Sequence, residues 1–243
     1  MVMLMRIIIG ILMVIFSIIA LLKYKMSMSG VITIFIVSLL GTLLFSDCLL
    51  YMYFFSFLIL GIVKLINKHY TKETDIDKYS VKNFMYAGGI PFVLSIFVFI
   101  LDKYNYNSDV ILFLNMITFV NLGTLLIDTA SGELGQSFKT KTYLITSFKE
   151  VKSGTDGGIS ISGTVLGLIT CIIYVSMIVL LCNISVIYAF LVLLFSFIGN
   201  LLDSIIGATL QNKNYVNNEQ TNFISMFIVT VFSTLVFYFL ILI

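Results

Sequence analysis

The chain has 243 residues, of which 60% are hydrophobic and 11% charged, and its mean hydropathy is +1.10. A water-soluble domain carries about 25% charged residues, so this composition excludes a soluble globular fold, a disordered segment and a disulfide-rich secreted scaffold. The net charge of +2, spread without a dense basic block, gives no basis for a nucleic-acid partner, and the solvent for most of the chain is lipid.

A membrane helix needs roughly 17 to 25 mostly apolar residues to cross the hydrocarbon core. Runs of that kind predict an all-α, polytopic helix bundle with eight spans in a single integral-membrane domain over residues 1–243. In chain order they are 6–22, 30–46, 48–63, 84–101, 110–127, 159–182, 184–202 and 222–243. The first run leads straight into the next without a small-residue cleavage site and reads as a retained helix. Asp47 is the charged separator of the second and third runs, which form a tight hairpin or a re-entrant pair. The sixth and seventh meet at Cys182-Asn183-Ile184, again a hairpin. Cys48, Cys171 and Cys182 sit in apolar stretches with no CxxC pattern and no His at ligand spacing. They read as small core hydrophobes, without a disulfide or metal role.

Basic residues orient the bundle. With the N-terminus outside, alternate inner loops collect Lys23 and Lys25, then Lys64, Lys68, Lys72, Lys78 and Lys82, then Lys139, Lys141, Lys149 and Lys152, and finally Lys213. Of the 14 basic residues only Arg6 and Lys103 remain outside. This asymmetry follows the positive-inside rule and predicts both termini outside.

Two acids at the inner face, Asp128 and Asp203, end otherwise apolar runs. An acid at that depth is costly and marks function by default; a helix-end charge reaching to water is the plainer reading. The segment 128–158 is expected to be a cytosolic loop that carries the site. It opens with Asp128-Thr-Ala-Ser-Gly-Glu-Leu-Gly135. Asp128 and Glu133 are five residues apart, so on an unbroken helix they diverge by about 140°. A helix break at Ser131-Gly132 is expected to turn both toward one point. Hard oxygen ligands without His or Cys suit Mg²⁺.

The segment closes on a glycine-rich turn, Gly154, Gly157 and Gly158, that leads into the sixth span. Glycines admit a close backbone approach, and a helix start favours an anion. Lys152 adds positive charge, which together suggests a nucleotide phosphate. The turn is neither a Walker A loop nor a GxGxxG turn. Ser160, Gly163, Thr164 and Gly167 then follow helical spacing, and packing is the expected role of the last glycines. In the seventh span Gly199, Asp203, Gly207 and Gln211 recur every four residues, a stripe that could bring Asp203 to a metal held by Asp128 and Glu133. Asn222 opens the eighth span as a cap or polar contact.

The order DTxxxELG, VKxGTxGGISxxG, GxxxDSIIGATLQ, then a helix opening with Asn, resembles an integral-membrane family found in archaea, bacteria, plants and animals. Its plant members include the chloroplast phytyl-phosphate kinase, and it is distantly similar to polyprenol kinases and CDP-lipid synthases. The resemblance covers residues 123–222, and more loosely the whole chain. It implies functional roles for Asp128, Thr129, Glu133 and Gly135; for Val151, Gly154, Thr155, Gly157, Gly158, Ser160 and Gly163; and for Asp203, Ser204, Gly207, Ala208, Thr209 and Gln211. Ala130 stands where an aromatic is usual, Asp156 where Asn is common, and Ala87 at the Asn position of a stretch that opens the fourth span.

The resemblance implies a CTP-dependent, Mg²⁺-requiring kinase of an isoprenoid alcohol or its monophosphate at the cytosolic membrane face. CTP or another NTP, a prenyl alcohol or prenyl phosphate, and the bilayer are the expected partners. Asp128, Glu133 and Asp203 would hold the metal, and Lys152 with residues 154–158 and Ser160 the triphosphate. Thr129, Ser204, Gln211 and Asn222 complete the candidate set. A membrane transporter or lipid flippase is the alternative from another class, because intramembrane acids also line transport paths. A cytidylyltransferase making a CDP-lipid would use the same metal site.

Overall fold

The computed structural model describes residues 2–24, 36–37, 39–71, 81–138 and 140–243. Its helices are α1 (Val2–Tyr24), α2 (Asp47–Thr71), α3 (Val81–Lys103), α4 (Ser108–Ser137), α5 (Ile161–Cys182), α6 (Val186–Ile206) and α7 (Asn218–Phe237). A short helical stretch, 39–44, precedes α2. Among the described residues, five helices are long and apolar enough to cross a membrane: α2, α4, α5, α6 and α7. They coincide with the third, fifth, sixth, seventh and eighth expected spans. The expected fourth span falls within α3, and much of the second lies outside the described residues. The chain is therefore a membrane helix bundle.

Helix α4 is its axis. Asn107 caps it by accepting the Asp109 N–H at 2.7 Å, and Asp109 in the first turn complements the helix dipole. It packs against α2, α3, α5, α6 and α7. The most apolar stretch of α4 is 61% buried, against 28–39% for the other four long helices. Small residues permit this crowding. A side chain at Gly123 would strike Ser196 of α6, and one at Gly199 would strike Thr124 of α4. Gly135 of α4 and Gly163 of α5 face each other, and Gly167 lies on the Ile127 carbonyl. Gly163 and Gly167 are thus packing residues, as their spacing suggested.

Helix α4 also corrects the sequence reading. It runs unbroken for 30 residues through Ser131 and Gly132. The Ser131 hydroxyl stays within the helix, 3.0 Å from the Asp128 carbonyl, and reaches Asn200 Oδ1 at 3.1 Å. Glycine weakens a helix interior by only about 1 kcal/mol, which tight packing on five neighbours offsets. The segment 128–158 is accordingly no continuous loop. Its first ten residues are helix, and the remainder carries a three-stranded antiparallel sheet, so the fold is not purely helical. The strands are β1 (Thr142–Leu144), β2 (Glu150–Val151) and β3 (Gly158–Ser160), in the order β2-β1-β3. Thr142 pairs with both Val151 and Ser160.

The sheet sits at one end of the bundle. At the opposite end Cys48, opening α2, is disulfide-bonded to Cys182, closing α5. The expectation that all three cysteines are apolar fillers is corrected for these two, and Cys171 alone of the three is a free, buried thiol. Two cysteines 134 residues apart have no local spacing that would reveal the pair. The α5–α6 hairpin follows the sequence expectation: Asn183 ends α5 in the left-handed conformation at φ 53°, and Ser185 caps α6.

Candidate functional site

Three elements bring the two deep carboxylates together. Asp128 lies near the sheet-bearing end of α4, Asp203 in the last turn of α6, and Asn222 and Ser225 in the first turns of α7. Asp128, Asp203, Asn222 and Ser225 line one narrow cleft with Thr124, Leu125 and Met226. Asn222 turns its amide nitrogen to Asp203 Oδ2 at 2.9 Å, where its surroundings offer only acceptors. The Ser225 hydroxyl is 3.1 Å from the same oxygen and 2.9 Å from the Asn222 carbonyl. Asp203 is therefore held in orientation by α7. Among the described residues neither Asp128 nor Asp203 has an ion-pair partner. Two carboxylates in one narrow cleft without a counter-charge are costly, a cost that a divalent cation would relieve.

Glu133 does not join them. Because α4 is continuous, its carboxylate leaves the helix on another face and engages the Lys64 ammonium and the Asn67 amide of α2. Ser137, one turn on, lies 2.8 Å from Asn67 Oδ1 and extends the same network. Among the described residues no group of three His, Cys, Asp or Glu side chains could hold a metal. The structure thus brings together two of the three expected carboxylates, and Glu133 ties α2 to α4.

The glycine-rich turn is built differently from the expectation too. Gly154 and Gly157 have positive φ, 85° and 72°, which favour glycine. A side chain on Gly157 would lie 2.3 Å from the Ala208 nitrogen and 2.5 Å from the Ser204 carbonyl, and one on Gly207 would lie 2.9 Å from the Gly157 nitrogen. Gly157 therefore lets the turn seat on Ser204 and Ala208 at the end of α6. Gly158 belongs to β3, and its missing side chain accommodates Thr142. Gly154 is more open, its nearest neighbour Gln136 at 3.8 Å. Thr155 donates its hydroxyl to the Lys152 carbonyl at 2.7 Å and tightens the turn. Lys152 itself is exposed. Ser160 caps α5 by accepting the Gly163 N–H at 3.1 Å.

The remaining candidates divide. Thr129 is half-buried beside Asp128, and Ser204 supplies the carbonyl under Gly157. Gln211 departs from its stripe, because α6 continues as a π turn over Gly207–Gln211. It lines an open cleft with Asp156 and the start of α7 instead of the carboxylate cleft. Single-turn π segments recur at functional sites.

Sequence reasoning missed Asn200, Ser225, Lys64 and Asn67. Asn200 lies one turn before Asp203, and Ser225 one turn after Asn222. A polar residue one turn from a singled-out one, inside an apolar helix, was the available signal.

The profile of the family described as "Integral membrane protein DUF92" matches residues 11–230. The chain belongs to this family. Among DUF92-like relatives, an uncharacterised membrane protein of Methanocaldococcus jannaschii is 30% identical over 193 residues, 75% of this chain and 74% of its own. The chloroplastic protein VTE6 of Arabidopsis thaliana is 39% identical over 106 residues, covering 42% of this chain and 32% of the plant protein. An uncharacterised membrane protein of Synechocystis is 36% identical over 113 residues, 44% of this chain and 42% of its own. The chain thus spans less than half the length of the last two. No solved structure matches the chain.

Proposed function

We propose that this DUF92 protein is a CTP-dependent kinase of a prenyl phosphate or prenyl alcohol, acting at the cytosolic face of the membrane. The observation that carries the reading is the Asp128–Asp203 cleft: two carboxylates without a counter-charge, one of them oriented by Asn222 and Ser225. Membership of a family that resembles the phytyl-phosphate kinase supplies the reaction class.

Phosphoryl transfer asks a protein for positioning and charge neutralisation more than for covalent participation. An all-oxygen donor set of two carboxylates fits Mg²⁺, which is typically bound by one or two carboxylates plus substrate phosphates. Asp128 and Asp203 would hold it, and when bound it neutralises phosphate charge. Lys152 and the open face of Gly154 and Thr155 contact the triphosphate. Apolar grooves between helices take the prenyl chain. A phosphate acceptor needs no strong base, whereas a hydroxyl acceptor would pass its proton to one of the two aspartates.

Eight spans with the sheet inside are part of the same proposal. The lysine distribution supports that orientation. So does the disulfide, since such bonds persist in oxidising compartments and this one joins the end away from the sheet. A cysteine placed at Ser147, exposed in the β1–β2 turn, should resist an impermeant reagent added outside intact cells. Labelling there would overturn the orientation.

The function is tested by incubating purified protein with CTP labelled at the α or γ position, Mg²⁺, and prenyl phosphate or prenol. Transfer of γ label with CDP release is expected. Pyrophosphate release with α label in the lipid would instead establish a cytidylyltransferase. No transfer to either lipid would overturn both and leave the transporter reading.

A further inference from the structure

An open cleft of about 460 Å³ lies beside the carboxylate site, lined by Asp156, Gln211, Asn214, Tyr215, Asn217 and Gln220 among others. We infer that this cleft is the base-binding subsite of the nucleotide donor, selective for a base carrying an exocyclic amino group. The inference rests on the proposed nucleotide chemistry and extends it to specificity. Its volume falls in the range of small-molecule pockets, about 300–1,000 Å³.

The lining decides what kind of group it suits. Among the described residues no Lys or Arg lines the cleft, and one carboxylate does, which opposes an anion such as a phosphate. Asn and Gln amides offer donor and acceptor side by side, the pattern a base edge presents. The Asp156 carboxylate accepts only, so it matches an exocyclic amino group, as acidic side chains do with cytosine, and repels a carbonyl at the same position. Tyr215, 73% exposed, supplies an aromatic face of the sort on which bases stack.

The backbone holds these groups in place. The π turn of α6 ends with the Tyr215 N–H on the Leu210 carbonyl at 3.0 Å and Asn214 left-handed at φ 60°. Asn212 donates to the Asp156 carbonyl at 2.9 Å and ties the glycine-rich turn to that ending. Asn217 and Gln220, which both line the cleft, cap α7 reciprocally, each side-chain oxygen accepting the other's backbone N–H at 2.9 Å. The site also has the right reach. Asp203 and Gln211 are eight residues apart in the chain, about 12 Å at helical rise, a span that a ribose and phosphate chain can cover from the cleft to the carboxylates.

Calorimetric titration of the detergent-purified full chain with CDP, UDP, ADP and IDP tests the assignment, because each pair differs by amino against carbonyl. In at least one pair the amino member should bind about 10-fold more tightly. Tyr215→Ala should weaken that nucleotide about 10-fold, consistent with a stacking contribution of about 1–3 kcal/mol. Asp156→Asn should erase or invert the amino preference, while Asp203→Asn keeps it. Gln211→Ala, on the helical side of the cleft, serves as a second variant should Tyr215→Ala fail to fold. No binding by the parent protein, or unchanged preference in folded cleft variants, overturns the inference. The transfer assay run in parallel separates the two ideas. Turnover with a base preference indifferent to the cleft sinks the subsite alone. Cleft-dependent binding without transfer sinks the kinase reading alone.

Discussion

The two ends of the bundle solve opposite problems. At the disulfide end, Cys48–Cys182 ties α2 to α5, and the Arg6 guanidinium binds Asp47 at 2.6 Å and the Phe45 carbonyl at 2.7 Å. Phe45 packs at a tilt against Tyr53 and edge-on against Phe92, with centroids 5.0 and 6.0 Å apart. Arg6 and Asp47 are paired there, and aromatic surface fills the interior. At the sheet end, two carboxylates face one cleft unpaired among the described residues, and a second polar cleft stands open beside them. The chain is pinned by a covalent bond at one end and carries its polar clefts at the other. On the proposed function, that separates the locked end from the end where ligands exchange.

The largest effect should come from the unpaired carboxylates. On the proposed function, Asp128→Asn or Asp203→Asn removes a charged group from the proposed metal site, and turnover should fall on the order of 10²-fold or more. Folding should survive, since each change relieves an uncompensated charge. Activity assays beside size-exclusion profiles check both parts. Near-normal turnover in both variants would reduce these acids to helix-end charges and erase the contrast between the ends.

The converse change belongs at the other end. Reduction, or replacement of Cys48 and Cys182 by Ser, opens a long loop, worth up to about 4–5 kcal/mol by chain entropy. Thermal unfolding should therefore shift downward. Turnover at low temperature should hold, because α5 alone, 22 residues long, separates the bond from the sheet by about 33 Å. Loss of turnover in a folded, reduced protein would show that the ends are coupled.

What could be read from the sequence divides along the same line. Asp128 and Asp203 stood out because a carboxylate in an apolar run has few innocent explanations, and the structure brings both to one cleft. Five of the eight expected spans coincide with helices long and apolar enough to cross a membrane, and they were legible because lipid demands long apolar runs. Glu133 was misplaced because a helix break was inferred from Ser131-Gly132, when tertiary packing on α5 and α6 keeps the helix whole. The role of Gly157 was hidden for a related reason: its neighbour is Gly207, fifty positions further on, and no local pattern reports that contact. The disulfide escaped on the same ground. Local chemistry was readable, and the helical stripe through Asp203 pointed to its meeting with Asp128; contacts over long separations that leave no local pattern were not.

Gly157→Ala probes the seam that joins the sheet to α6. Its side chain would meet the Ala208 nitrogen at 2.3 Å and force a positive φ on alanine. Destabilisation of about 1–3 kcal/mol is expected from such overpacking, with a rise in nucleotide KM as the turn lifts from α6. Gly154→Ala keeps the unfavourable φ of 85° but meets no close neighbour, so it should cost less. Equal effects in the two variants would mean that strain, and not the contact with α6, matters at this turn.

The smallest effect addresses Gly132, and it tests the continuity of α4 directly. A side chain at Gly132 would meet nothing within 4 Å, and the residue lies exposed inside a helix that continues to Ser137. Alanine in a helix interior is favoured over glycine by about 0.5–1 kcal/mol. Gly132→Ala should therefore raise the melting temperature slightly and leave turnover unchanged, since Glu133 already points toward Lys64 and Asn67 and has no need to swing toward Asp128. A site that required a break between Asp128 and Glu133 would respond in the opposite way. There, stiffening the backbone would hold Glu133 off the metal, and activity would drop while stability rose. Stability and turnover of this one variant, measured side by side, therefore decide whether the site is built from two carboxylates or three.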